Sequence, residues 1–487
     1  MEQGKDIITI GPDGLCHAYQ TKTGDIGLGE WRGMSGEVQE LIELPVDYPG
    51  VDKSKQHRAY LVTNGSVTDP VRTQINDRNE DNVRKGRGYA PLEIIERDSL
   101  LKAFVDAQGR FVPRELPEIR TFLELYLEDG RAMLPKEKLF ALLDNISFGA
   151  RPSKKSDAID AISSSLVIVS YLLNSFEASA NHYAMAEGWS ILAACIARYV
   201  TRYSIPREQW IDSVNLVRAE LEANLALLRK EAADRSDFLE GDVRADGGVI
   251  LQARTTIVLG ALACHELLPV GTLKSDRSPD EVLQLILKHL GKQVVWGDSA
   301  FPYAFFLVKF LESRNQTTAA YTLLEDLFVA LTDSNFRRST LTFPSPYHTV
   351  EEILGASIPD RLHYEDLSVH RGSSYVLKSV TEMLVRRGCR ELLSAHWRRL
   401  TYCEHHEFRP HQPEDFFAWR AEDGTNISGF PRQTESWASL VAEANDLSAV
   451  PRILEDFQYL LPFHILVCPH RATPEVIRLL DASPTVA

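Results

Sequence analysis

Asp6 heads a short β-branched run, Ile7-Ile8-Thr9-Ile10, and Gln20 and Lys22 stand two residues apart in a second run, Leu15 to Lys22. The intervening Gly11-Pro12-Asp13-Gly14 has the composition of a turn, so the two runs predict a hairpin. Residues i and i+2 of a strand share a face. The hairpin therefore brings Asp6, Gln20 and Lys22 to one edge of a sheet. A carboxylate, a neutral amide oxygen and an ammonium group make a chemically useful set. A hard cation takes a few protein oxygens and fills its remaining positions with water and substrate phosphate. Asp6, Gln20 and the carbonyl of Thr21 are the candidate ligands for Mg²⁺ or Mn²⁺. Lys22 can orient or help deprotonate an attacking water and offset charge on a phosphorus centre. Asp6, Gln20 and Lys22 are thus the candidate catalytic residues, although a trio of this kind also describes an ordinary solvated strand edge.

The elements that must position them are legible nearby. Gly33 to Leu44 carries Met34, Val38, Leu41, Ile42 and Leu44 at helical spacing. Ala59 to Thr63 reads as a buried strand ended by Asn64-Gly65. Thr68 to Arg78 reads as a helix with Thr68 or Asp69 as N-cap and Pro70 in its first turn. Leu92 to Ile95 is another apolar strand, and Asp98 or Ser99 caps a helix through Phe104. The order β-β-α-β-α-β-α predicts an α/β domain over residues 1–104.

This ordered set resembles the PD-(D/E)xK nuclease superfamily, and more narrowly its Mrr-like restriction-endonuclease domains. In that family a single Asp precedes a (Glu/Gln)-x-Lys motif by a similar interval, as Asp6 precedes Gln20-Thr21-Lys22 here. Tyr60-Leu-Val-Thr-Asn-Gly65 is similar to the family's next core strand, and Leu92-Glu-Ile-Ile-Glu-Arg-Asp-Ser-Leu-Leu101 to its last strand and following helix. The resemblance covers about the first hundred residues. It implies a restriction-endonuclease-like fold and metal-dependent hydrolysis of DNA phosphodiesters, typically in bacterial restriction or antiviral defence, with a homo-oligomer or a partner subunit. Family members usually start with a helix ahead of the catalytic Asp, which often brings a Glu. Five residues precede Asp6 here; Glu2 is a poor substitute, and Asp25 is the candidate extra carboxylate.

From residue 105 the apolar spacing is almost entirely helical, which predicts a large all-α array, divided at the polar stretch Asp234 to Gly247 into 105–240 and 241–487. No fixed repeat period is present. Arg337 to His348 and Phe408 to Pro431 read as irregular. Trp189, Tyr199, Tyr203 and Trp210 fall at core spacing.

Charge alone points nowhere near DNA. The chain carries a net −15, and residues 1–104 hold 13 Lys/Arg against 17 Asp/Glu. A surface that coats nucleic acid along its length is excluded, while a local cleft is not. Arg78, Arg84, Lys85 and Arg87, with Gly86 and Gly88, predict a basic loop near the site, suited to phosphate contacts or to plain solvation. Lys53, Lys55, His57 and Arg58 form a second such cluster. Cys403-Glu-His-His-Glu-Phe-Arg-Pro-His411 and Cys468-Pro-His470 do not have the spacing of a common zinc site. No phosphate loop, G-x-G-x-x-G or G-x-S-x-G is present. Six scattered cysteines read as reduced buried thiols. The short apolar stretch Leu166 to Leu173 and the polar N-terminus predict a cytoplasmic protein with no membrane span. The helical region would sense a trigger, bind a partner or drive oligomerisation. The alternative from another class is a degenerate nuclease fold serving as a protein-interaction scaffold or a non-cleaving nucleic-acid-binding module.

Overall fold

The computed structural model describes residues 4–11, 15–46, 56–100, 102–103, 116–235, 238–240, 247–268, 278–292, 295–336, 346–348, 350, 353, 372–419, 424–448 and 450–482. Glu2, the Pro12–Gly14 turn, Lys53, Lys55, Phe104, and most of the 234–247 and 337–348 stretches and of the expected 350–356 helix lie outside the described residues. The chain divides into two compact units, Met1–Val112 and Pro113–Ala487.

The first unit is a four-stranded mixed sheet in chain order. Its strands are β1 (Ile7–Ile10), β2 (Cys16–Lys22), β3 (Arg58–Thr63) and β4 (Leu92–Ile95). The hairpin β1-β2 is antiparallel, and β3 and β4 add in parallel. Each parallel step needs a crossover, supplied by α1 (Leu28–Glu43) and α2 (Asp69–Arg84). α1 buries a stripe of Trp31, Met34, Val38, Leu41 and Ile42, and α2 buries Val71 and Ile75. Both stripes join Ala18, Ala59, Leu61 and Leu92 of the sheet in one core, so the two helices cover one face. Residues 97–100 and 102–103 are helical.

α1 starts five residues earlier than its apolar spacing predicts. Its N-cap is Gly27, whose N–H donates to Glu30 Oε2, and Gly29, Gly33 and Gly36 dilute the helical signal. α2 runs six residues longer than predicted through the polar Asp77-Arg78-Asn79-Glu80-Asp81 stretch. Asn79 ties it to the sheet, donating to Leu92 O (3.1 Å) and accepting from Leu92 N (2.9 Å).

The second unit is largely helical: α3 Leu116–Tyr126, α4 Lys136–Leu143, α5 Lys155–Leu172, α6 Asn174–Ala178, α7 His182–Arg202, α8 Ile211–Asp234, α9 Gly247–Leu267, α10 Pro279–Lys288, α11 Phe301–Ser313, α12 Thr317–Phe336, α13 Leu377–Arg386, α14 Arg390–Leu400, α15 Trp437–Ala444, α16 Arg452–Asp456, α17 Leu461–Val467 and α18 Pro474–Ala482. Its centre is α7, in which every residue from Ala184 to Val200 is buried. A helix enclosed on all sides must pair its charges. Glu187 accepts from Lys136 Nζ (2.6 Å), and Arg198 donates to Asp144 Oδ2 (2.8 Å).

Two expectations are corrected here. In a stacked array each repeat touches only its neighbours. α7 packs not only against its sequence neighbours α4, α5 and α8 but also against the short 3₁₀ helix Pro413–Phe417 and α17, which are distant in sequence. α9 likewise packs on α8, α11 and α17, so helices on both sides of residue 240 share one body. The unit is also not all helix. β5 (Ser373–Ser374), β6 (Glu404–Pro410) and β7 (Gly424–Gly429) form a small sheet where a helix start and an irregular stretch are expected. The segment Ser156–Ala178 is long and apolar enough to cross a membrane. It buries Ala158, Ile162, Ile168, Val169, Leu172 and Phe176 within the unit. All six cysteines are free thiols, and all but Cys389 are buried.

Candidate active site

The chain enters β1 through Gly4, whose φ of +72° suits glycine. A Cβ at Gly4 would lie 2.3 Å from the Glu37 carbonyl oxygen, so the bare backbone seats the strand entrance directly on α1. Asp6 N then donates to Tyr19 O (2.8 Å), which sets Asp6 across from Gln20. Three donors converge on Asp6 Oδ2: Gln20 Nε2 (2.9 Å), Thr21 N (2.7 Å) and Thr21 Oγ1 (2.8 Å). A strand residue projects its N–H and C=O to the same side, so the Thr21 carbonyl faces this same edge. Lys22 Nζ, one step further along β2, donates to Glu37 Oε2 of α1 (2.5 Å).

Gln20 is the informative member. It is 4% exposed, and its Oε1 is buried with no hydrogen-bond partner. An orphaned buried acceptor costs about 1–3 kcal/mol. Turning the amide by half a turn would bring Oε1 to the Asp6 side, where two oxygens would face each other unless a cation lay between them. The donor set is therefore one carboxylate, one amide oxygen and one backbone carbonyl, which fits a small hard cation that keeps several waters. Among the described residues no group of three or more His, Cys, Asp or Glu side chains is arranged for a metal. A cation at this edge would depend on the neutral oxygens.

α1 anchors the site from behind. Lys5 is 3% exposed and donates to Glu40 O (3.2 Å), while His57 Nε2 lies 2.6 Å from Leu41 O. Cationic or N–H groups at the carbonyl end of a helix are favourable. Burial lowers the Lys5 pKa, and burial also lowers that of His57. His57 thus serves the helix end and does not belong to an exposed basic cluster.

Other predicted residues lie elsewhere. Asp25 Oδ1 accepts from Ser66 N (2.7 Å) and Ser66 Oγ (2.9 Å), bonds that lower its pKa. It ties the exits of β2 and β3 together beside the Ile26–Val67 bridge and makes no bond to Asp6. Arg78 and Arg84 belong to α2, and Lys85 pairs with Asp81 (2.5 Å). These two, Lys85 and Arg87 precede Leu92, which pairs with Ala59 at the start of β3, whereas Lys22 pairs with Thr63 at its end. The basic stretch and the Asp6 edge therefore occupy opposite ends of the sheet, and the expectation that they are neighbours is corrected. Glu37, Lys5 and Gly4 are site residues that sequence reasoning passes over. For Glu37 the available signal is its place beside the Met34–Val38–Leu41 stripe that faces the sheet.

Within the Cys403–His411 motif, Glu404–Pro410 is the strand β6. His405 and His406 diverge from it: His406 stacks on Tyr375 (4.8 Å), while His405 lines a cleft of about 480 Å³ with Lys378, Glu407 and Trp397. Cys403 is buried, which pushes its thiol up to about 12. Compared with known proteins, the chain matches no family model, no curated protein and no solved structure.

Proposed function

We propose that the chain is a metal-dependent endonuclease of the Mrr-like type that hydrolyses DNA phosphodiesters. The carrying observation is that Gln20 Nε2, Thr21 N and Thr21 Oγ1 all donate to Asp6 Oδ2 at one strand edge, while the other amide atom of Gln20, a buried oxygen, is left without a partner and Lys22 stands next along the same strand. In this reading Asp6, Gln20 and Thr21 hold Mg²⁺ or Mn²⁺. The cation supplies charge neutralisation on the phosphoryl oxygens and activation of water. Lys22 offers its ammonium to a non-bridging oxygen and stabilises charge that grows during displacement. Gly4, Lys5 and α1 fix the strand entrance so that Asp6 stays in place. A cytoplasmic defence role, with the helical unit sensing a trigger, binding a partner subunit or assembling a homo-oligomer, belongs to the same proposal.

A second reading keeps its own support. Lys22 is engaged by Glu37, Asp6 Oδ2 already has three donors, and a Gln stands where a second carboxylate would strengthen metal binding. These favour a scaffold or a nucleic-acid-binding module that does not cut. Mn²⁺ titration separates the readings at the level of the metal. The nuclease reading expects Mn²⁺ to bind wild type and raise its unfolding temperature, with both effects absent in Asp6→Ala. Identical behaviour of the two proteins removes the metal reading.

A further inference from the structure

Two ammonium groups from the strand edge reach the same turn of α1. Lys5 Nζ binds the carbonyl of Glu40, and Lys22 Nζ binds the carboxylate of Glu37 at 2.5 Å. They differ in setting. Lys5 is buried and holds a neutral backbone oxygen, which suits a permanent anchor. The Lys22–Glu37 pair is open to solvent, with side-chain exposures of 32% and 52%. An exposed ion pair is weak and readily exchanged. Glu37 stands on a helix whose backbone is pinned to the strand entrance at Gly4, so its carboxylate is held where Lys22 can meet it.

We propose that Glu37 is a stand-in anion: it occupies the position on Lys22 that a phosphodiester oxygen takes when nucleic acid binds, and substrate enters by displacing it. The proposal rests on the site reading above and adds to it a positioning residue from α1. Glu37 holds the Lys22 ammonium against α1 in the free protein. It also sets a threshold on binding, because every incoming phosphate must replace an anion already present. Weak or singly charged ligands then compete poorly, while a polyanionic strand that makes further contacts outcompetes the carboxylate.

The test is a double-mutant cycle on binding, with a short fluorescein-labelled DNA duplex as probe, in chelator and at low salt, read by anisotropy. The proteins are wild type, Glu37→Gln, Lys22→Ala and the double variant. Glutamine is a good helix former at this exposed position, so folding is preserved. The expected result is an affinity gain of about 1.5- to fivefold for Glu37→Gln, matching the worth of an exposed pair. That gain should be absent when Lys22 is already alanine. An equal gain in both backgrounds would mean that Glu37 acts only through overall charge, and would overturn the proposal. So would no gain, or no measurable binding by wild type and Glu37→Gln alike. Cleavage plays no part in the readout. Loss of the nuclease reading in a metal-dependent assay would leave this cycle to be judged on its own result.

Discussion

Asp298 is the clearest place where burial sets a measurable property. It sits just ahead of α11, is 1% exposed, and accepts hydrogen bonds from Ser374 Oγ (2.9 Å) and Tyr375 N (2.7 Å). Burial raises its pKa from 3.8 to about 7, and those two bonds offset part of the rise. The native state therefore holds a proton that the unfolded state releases above pH 4. By linkage, stability falls as pH rises between the two values and levels off above the higher one. A shift of roughly three units at ~1.36 kcal/mol each is worth about 4 kcal/mol in full, and about 3 kcal/mol between pH 5 and 8. Asp298→Asn keeps the shape and, through its Oδ1, can still accept from Tyr375 N, but it cannot ionise. Urea unfolding of both proteins across this range, followed by tryptophan fluorescence, isolates the term. Other titrating groups cancel in the difference. Wild type should lose about 3 kcal/mol relative to the variant on going from pH 5 to pH 8. Parallel pH curves for the two proteins would refute the argument that this carboxyl is buried without a compensating cation.

Further expectations follow from the same kind of reading. Gly65→Ala would place a Cβ 2.3 Å from the backbone of Gly24, and should destabilise the first unit by about 1–3 kcal/mol in a denaturation series, whereas Gly88→Ala, with open space around it, should change little. Asp481 takes Arg386 Nε (2.6 Å) and Arg387 Nη1 (3.0 Å) in a buried site; burial alone would raise its pKa, yet these partners hold it at about 2. Asp481→Asn should cost about 3–5 kcal/mol at neutral pH, and the wild-type contribution should fade as pH falls from about 4 toward 2, checked by acid titration of unfolding. Gln20→Met removes an orphaned acceptor from a buried position and should leave metal-free stability within about 1 kcal/mol of wild type, as read by thermal unfolding, while abolishing the Mn²⁺-induced rise in unfolding temperature.

Much of the first unit is legible in the sequence because its strands are short, β-branched and punctuated. Leu92–Ile95 is found where it is expected, and the hairpin, β3 and the Thr68 N-cap lie within a residue or so of their predicted places. The helix ends are less legible. Glycines in α1 and a polar run in α2 hide turns that tertiary bonds secure, as Asn79 does against Leu92. In the second unit most helices follow from apolar spacing. The enclosure of α7 does not, because it depends on α17 and the Pro413–Phe417 turn returning from far along the chain. β6 and β7 are obscured because Glu-His-His-Glu-Phe-Arg-Pro and Gly-Thr-Asn-Ile-Ser-Gly lack an apolar alternation.

The candidate site divides the same way. Asp6 meets Gln20 across the hairpin as the register predicts, since register is a local property, whereas Lys22 bonds Glu37 rather than Asp6, and Thr21 reaches Asp6 as a donor through its N and Oγ1. Glu37 and the seat of Gly4 on α1 depend on how a helix crosses back over the sheet, which spacing alone does not encode. The basic residues after Asn76 lie at the other end of the sheet from the site. α2 carries them back to the opposite end of β3.

The most direct test of the central claim is cleavage of supercoiled plasmid DNA in Mg²⁺ or Mn²⁺ by wild type, Asp6→Ala and Lys22→Ala, each shown to be folded. The account predicts nicking or linearisation by wild type that disappears in chelator and in both variants. Well-folded wild type that leaves the plasmid intact in either metal, or cleavage that persists in Asp6→Ala and Lys22→Ala, would contradict it and turn attention to what the helical unit binds.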